Sequence, residues 1–283
     1  MATEMLESPP GLGGLYARAV AGALRRGGEA LPDGELGLDG VETRRDHVVA
    51  YSRACGFRLR DELPPTYPHV ICFPLAMKLM TQSSFPFSVM GLVHVANRIE
   101  QPRPIGTGER LDVRVRAADL RPHDRGTQFD VLAEALVDGD PVWRSASTYL
   151  RKRGGGSASG KERPKPPRRN AIWRVPGDTG RRYAEVSGDR NPIHLHRLTA
   201  LPFGMGRPIA HGMWLKARCL AALEGTLPES FEVDVAFKLP LQLPGAVSFA
   251  SWPEGEGRGF AVHDRRNERP HLAGAMRARS AEP

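Results

Sequence analysis

One stretch divides this sequence in two. Residues 151–169, RKRGGGSASGKERPKPPRR, combine glycine, serine, proline and like charge without apolar periodicity. Such a segment cannot bury a core, and it reads as a linker. The flanking segments, 1–150 and 170–283, are each long enough to form a domain.

The two segments also read as copies of one another. Residues 47–57, HVVAYSRACGF, set against residues 180–189, GRRYAEVSGD, place Tyr51 on Tyr183 and Gly56 on Gly188. FPLAMKLM (73–80) then falls on HGMWLKAR (211–218), and VHVANRIEQPRPI (93–105) on VDVAFKLPLQLPG (233–245). Period-two alternation follows in both: LDVRVRAADL, QFDVLAEALV and VWRSASTYLRK, then AVSFASW, GFAVHD and LAGAMRARS. Each copy is therefore expected to hold a turn-rich entry, one central helix and an antiparallel meander. The second helix is expected over 213–223, with Gly225 as its stop, and the first over 75–82. Two sheets, each covering one helix, can pair edge to edge and so remove an exposed strand edge.

Composition narrows the function classes. The start of the chain lacks the basic and apolar regions of a signal peptide, and no run reaches the ~18 apolar residues of a membrane span, so a cytoplasmic protein is expected. Cys55, Cys72 and Cys219 lack the spacing of a metal cage or a disulfide framework. A net charge of +8 suits an anionic partner such as nucleic acid, the phosphates of coenzyme A or an acidic acyl carrier protein. Much of that charge lies in the linker, and with 7% aromatic residues and no nucleic-acid motif, nucleic acid is not expected. Neither a G-x-x-x-G-x-G nor a G-x-S-x-G pattern is present, which removes the grounds for a nucleotide redox enzyme or an esterase elbow. Abundant Ala, Arg, Gly and Pro fit a bacterium with GC-rich DNA.

Chemistry concentrates in residues 181–213, RRYAEVSGDRNPIHLHRLTALPFGMGRPIAHGM. Asp189 and His194 form a D-x-N-P-I-H pattern in which Pro192 disfavours helical geometry at Asn191, so the two side chains can converge from an irregular loop. Imidazole titrates near neutrality, which suits acid–base work. Gly212 stands where the second helix should begin and lets backbone approach a ligand, so its N–H is the candidate oxyanion donor.

Y-A-x-x-S-G-D-x-N-P-I-H followed by R-P-I-A-H-G-M resembles the signature of the MaoC-like, R-specific enoyl-CoA hydratases (hydratase 2). The resemblance implies an α+β double hot-dog, in which a sheet wraps round one long helix in each half. It implies reversible syn hydration of trans-2-enoyl thioesters to (R)-3-hydroxyacyl thioesters in fatty acid metabolism, with no metal or redox cofactor. Asp189 and His194 would be the catalytic pair and Gly212 the oxyanion donor. Hydration needs a water deprotonated as it attacks the β-carbon, a proton for the α-carbon, and a donor for the thioester oxygen.

Phe57 stands where Asp189 stands in the other copy, with no histidine after it at the matching distance. The first half is therefore expected to be degenerate and to make room for a medium or long acyl chain. Members of the family often carry an acidic residue where this chain has His196, which bears on the surroundings of the pair. Tyr183 and Ser187 are candidates either for the acyl pocket or for the core. Asn191 and His211 are candidates for substrate binding or for organising the loop, and Arg207 for the carrier phosphates or a turn. His94, Asn97 and Arg98 carry no assigned role. Acyl-CoA and acyl carrier protein thioesters both remain open as substrates, as does a homodimer. Two other readings keep the fold: a non-catalytic acyl-thioester-binding subunit of a multi-enzyme complex, and a hot-dog thioesterase.

Overall fold

Leu111, Val113 and Val115 alternate with Asp112, Arg114 and Arg116, and that alternation becomes the two faces of a sheet, with all three apolar residues fully buried. The protein was analysed as a computed structural model, which describes residues 2–22, 30–153 and 166–279. The first half runs β1 (Thr3–Met5), α1 (Leu12–Ala21), β2 (Glu35–Val41), α2 (Arg45–Cys55), α3 (Tyr67–Met80), β3 (Leu92–Gln101), β4 (Leu111–His123), β5 (Gly126–Val137) and β6 (Asp140–Lys152). The second runs β7 (Ala171–Val175), α4 (Thr179–Ser187), α5 (Pro192–Leu195), α6 (Arg197–Ala200), α7 (Gly212–Leu223), β8 (Phe231–Phe237), β9 (Gly245–Glu254), β10 (Gly257–Asp264) and β11 (Pro270–Ala278).

All eleven strands join one sheet in the order β1-β2-β4-β5-β6-β3-β8-β11-β10-β9-β7. Read outward from the centre, β3-β6-β5-β4-β2 and β8-β11-β10-β9-β7 are the same arrangement twice. The copies meet where β3 pairs antiparallel with β8. Ala96 and Ala236, matched by the sequence repeat, are partners across that seam, so a local two-fold axis passes beside them. The six alternating segments are β4, β5, β6, β9, β10 and β11. β6 continues through Arg151 and Lys152, two residues into the segment read as a linker, of which residues 154–165 lie outside the described ones.

Three local expectations need correction. The helix expected over 75–82 is α3, which begins at Tyr67 and passes through Pro74. Pro68 sits in its first turn, where a missing N–H costs nothing. Pro74 breaks only one internal bond, and a helix apolar on nearly every side recovers far more from burial beneath the sheet. The turn-rich entries are the helices α2 and α4, each stopped by a left-handed glycine, Gly56 at φ 85° and Gly188 at φ 72°. Their short amphipathic patterns were masked by those glycines; the matched Tyr51 and Tyr183 rings meet between them, 6.1 Å apart. The second central helix, α7, begins one residue early, at Gly212.

Cys55, Cys72 and Cys219 are free and buried. No helix among the described residues is long and apolar enough to cross a membrane.

The seam holds an unusual polar core. Lys216 of α7 is fully buried, and its ammonium donates to Asn97 Oδ1 (2.6 Å), the Asn97 carbonyl (3.0 Å) and the Val233 carbonyl (3.2 Å). Burial pushes its pKa well down. Asn97 Nδ2 in turn donates to Ser145 and Ser147 Oγ at 2.8 and 3.0 Å, which ties the second half's helix to β3 and β6 of the first. Asn97→Leu, which removes one of the three Lys216 acceptors and the donor to Ser145 and Ser147, should lower stability by about 2–3 kcal/mol in urea titrations. Adding Lys216→Met should recover part of that loss, because the under-satisfied buried amine is then gone.

Candidate active site

Gly188 ends α4 and Pro192 begins α5, so residues 188–191 must cross between two helices without helical bonds. Side chains supply what the backbone lacks there. Ser187 Oγ accepts the Asp189 N–H (3.2 Å), Asp189 Oδ1 accepts the Asn191 N–H (3.1 Å), and Asn191 Oδ1 caps α5 at Ile193 (3.4 Å). The break expected at Pro192 is present, but it is short: Asp189 lies in it, whereas His194 rides on the single turn of α5.

Each imidazole is oriented by a backbone carbonyl. His194 Nδ1 donates to the Ile209 carbonyl at 2.8 Å, which leaves Nε2 with its lone pair. His211 Nε2 donates to the Asp189 carbonyl at 2.9 Å, and its ring stacks on His194 with centroids 3.7 Å apart. His211 thus ties the Asp189 turn to the start of α7 and backs the His194 ring. One carboxylate oxygen of Asp189 and one ring nitrogen of each histidine lie within 4.8 Å of one another. Two hydrogen bonds of ~2.8 Å through one water span such a gap.

Gly212 opens α7, where the first N–H groups have no acceptor within the helix. A Cβ there would sit 3.1 Å from the Phe237 ring, so glycine keeps this helix end close to β8.

Burial pushes the Asp189 carboxyl upward, but the adjacent imidazoles, the Asn191 N–H and the Tyr16 hydroxyl reverse this and hold it below the usual carboxylate value. Burial keeps His194 below the ordinary imidazole value against the pull of Asp189, and pushes His211 down to about 3. At neutral pH the pair is an ionised carboxylate beside a neutral imidazole.

The other sequence candidates take supporting positions. Tyr183 is 2% exposed and packs between Tyr51 and His211, and Ser187 and Asn191 shape the loop. Arg207 is occupied by Gln242 Oε1 (2.9 Å) and the Pro244 carbonyl (3.4 Å). His196 is exposed and caps α6 at Leu198 (3.3 Å). Phe57 lies in the first half's core.

Sequence reasoning missed two features. Tyr16 of α1 donates to Asp189 Oδ1 at 3.1 Å, a contact across the whole chain that no local pattern announces. A row of rings also leads away from Gly212: Phe237 meets His94 (5.0 Å), His94 stacks on Tyr149 (4.7 Å), and Phe129 (5.8 Å) and Phe87 (5.6 Å) follow. The row ends at a cavity of about 400 Å³ whose border mixes apolar Ala19, Met80, Phe85, Phe87 and Val89 with polar Arg18, Thr81, Gln82, Ser83 and Ser88.

Known proteins share this sequence pattern and fold. The family model described as MaoC like domain matches residues 161–270. The chain is 34% identical to the 3-hydroxyacyl-thioester dehydratase X of Mycobacterium tuberculosis, over 96% of this chain and 99% of that one. It belongs to the MaoC-like dehydratase family. The crystal structure of that relative, HtdX, superposes with a TM-score of 0.78 at 33% identity, covering 87% of this chain and 100% of the other. A MaoC-like dehydratase from Phytophthora capsici matches in fold, with a TM-score of 0.70 at 18% identity over 87% and 95% of the chains. So does a mycobacterial protein described as having a double hotdog fold, with a TM-score of 0.52 at 11% identity over 89% and 96%. The MaoC-like chain thus has the α+β double hot-dog architecture.

Its histidines make a pH prediction. His194 and His211, with His69 and His94 at about 4 and about 3, all titrate below the unfolded value of 6.5 because burial disfavours their charged forms. The unfolded chain therefore binds more protons below that value, and stability falls as pH drops. Thermal midpoints should decline steadily from pH 7 to about pH 5; a flat profile would show that these imidazoles are not held neutral.

Proposed function

We propose that this protein reversibly hydrates trans-2-enoyl thioesters to (R)-3-hydroxyacyl thioesters in fatty acid metabolism, with Asp189 and His194 as the catalytic pair. The observation that carries the reading is the convergence of the Asp189 carboxylate with the His194 and His211 imidazoles, one oxygen or nitrogen of each within 4.8 Å of the others, beside the open N-terminus of α7. A water held by Asp189 and His194 loses one proton to the pair as its oxygen bonds to C3. The C2–C3 π electrons move toward the thioester oxygen, which accepts the Gly212 N–H. The enolate then collapses by taking a proton from the pair at C2 on the same face, which restores the starting state. Dehydration is the same path in reverse.

The row of rings favours medium or long acyl chains, with the first half as a degenerate copy that accommodates them. Phe87, His94, Tyr149 and Phe237 are part-buried and Phe129 is fully buried, and the acyl chain is proposed to follow this row from Gly212 toward the cavity. On the outside, residues 190–223 contain no Asp or Glu, and Arg190 and Arg197 are exposed. That basic surface beside the site favours the phosphate common to coenzyme A and acyl carrier protein.

The test is loss of enoyl absorbance with short to long trans-2-enoyl thioesters, on each carrier in turn. Wild type should be active, most so on the longer chains, and Asp189→Asn and His194→Ala should each lose about 10²-fold or more in kcat. Full activity in Asp189→Asn would leave acyl-thioester binding as this site's role, and release of free thiol would indicate hydrolysis.

A further inference from the structure

Helix α1 stands outside the repeated unit, since the duplicated strand order begins at β2 and β7, and among the described residues the second half has no counterpart to it. Its apolar residues Leu12, Leu15, Tyr16 and Ala19 follow helical spacing, so one face is built to pack. Leu15 and Ala19 are buried, and Leu12 fills the space where any side chain at Gly188 would project. This contact sets the helix on the residue just before Asp189.

The Tyr16 hydroxyl has three partners there, and of the two acceptors for its proton the Asp189 carboxylate is nearer and charged while the Gly188 carbonyl stands at 3.4 Å. The hydroxyl accepts the Arg190 N–H at 2.7 Å and donates to Asp189 Oδ1 at 3.1 Å. Accepting from an amide polarises the hydroxyl and strengthens it as a donor. Oδ1 also accepts the Asn191 N–H, so both fixed donors converge on one oxygen. Oδ2 lies 3.9 Å from His211 Nε2 and has no partner of its own at hydrogen-bond distance among the described residues. A carboxylate on a short side chain can exchange its two oxygens by rotating, and two donors on one oxygen suppress that exchange.

We propose that Tyr16 is a positioning residue for the hydration reaction: its hydroxyl fixes the Asp189 carboxylate so that Oδ2 alone faces the reacting water. The inference rests on the role assigned above to Asp189. It gives the degenerate half a part in catalysis beyond housing the acyl chain, because the group that aligns the carboxylate comes from the other end of the sequence. The hydroxyl bonds the oxygen already held by Asn191, not the one left for water, so it aligns the site without blocking it. Burial and the neighbouring carboxylate both push the Tyr16 phenol up, so it stays a donor throughout any assay range.

The test is Tyr16→Phe, which keeps the ring and its packing and removes only the oxygen. Turnover, KM and the acid limb of the pH–rate profile are measured beside wild type and Asp189→Asn, and the Asp189 carboxyl is titrated by carbon NMR in wild type and Tyr16→Phe. The expected result is kcat about 10- to 100-fold lower with KM little changed, while the acid limb and the Asp189 titration both move to higher pH as the bond is lost. Recovery of neither kcat nor titration in Tyr16→Leu would agree with loss of the hydroxyl. A faster Tyr16→Phe enzyme, or unchanged kcat and an unchanged Asp189 titration, would overturn the proposal. Asp189→Asn tells the two failures apart: if it is dead while Tyr16→Phe is normal, only the positioning role falls, and if it is fully active the underlying reading falls too.

Discussion

The pairing of β3 with β8 is the contact on which the rest of this molecule depends. It converts two half-sheets into one, and it places the two central helices under a continuous surface. Backbone hydrogen bonds alone would tolerate a slip in register, and a slip by one residue exchanges the faces of every side chain. The Lys216 amine opposes such a slip because its acceptors come from both strands, Asn97 on β3 and Val233 on β8. A buried amine is costly anywhere, and here its acceptors coincide in only one register. The cost of burying this amine is therefore coupled to the specificity of the seam.

With that seam in place, the site follows from where backbone must stop being regular. Gly188 and Pro192 end one helix and start another, and the intervening residues find partners in their own side chains. His194 and His211 are each aimed by a main-chain carbonyl, so their orientation is set by the course of the chain through Ile209 and Asp189. Such second partners fix a tautomer as well as a direction. Burial disfavours the protonated form of both rings, while those imidazoles, the Asn191 N–H and the Tyr16 hydroxyl favour the charged form of the carboxylate.

Much of this was legible in the sequence because it is local. Alternation along β4, β5 and β6 needs only neighbouring residues to be read, and the D-x-N-P-I-H and A-H-G-M segments each lie within one turn of chain. The duplication was visible through Gly56 and Gly188, whose left-handed caps only glycine fills without strain. What escaped was long-range or overridden by packing. Pro74 signals a helix end, yet the burial of α3 outweighs it. Tyr16 reaches Asp189 across 173 positions, and the rings of His94, Tyr149 and Phe237 come from three strands that become adjacent only at the seam. Nothing beside Lys216 in the sequence shows that its face of the helix is enclosed.

The strand order also settles how this sheet can meet other molecules. A single hot-dog unit exposes the edge that β3 or β8 would present, long and apolar enough to recruit another chain. Fusion spends both of those edges on each other. Among the described residues the sheet then ends in β1, three residues long, and β7, five residues long. Edges that short offer few unpaired backbone groups, which protects the protein from adding strands laterally.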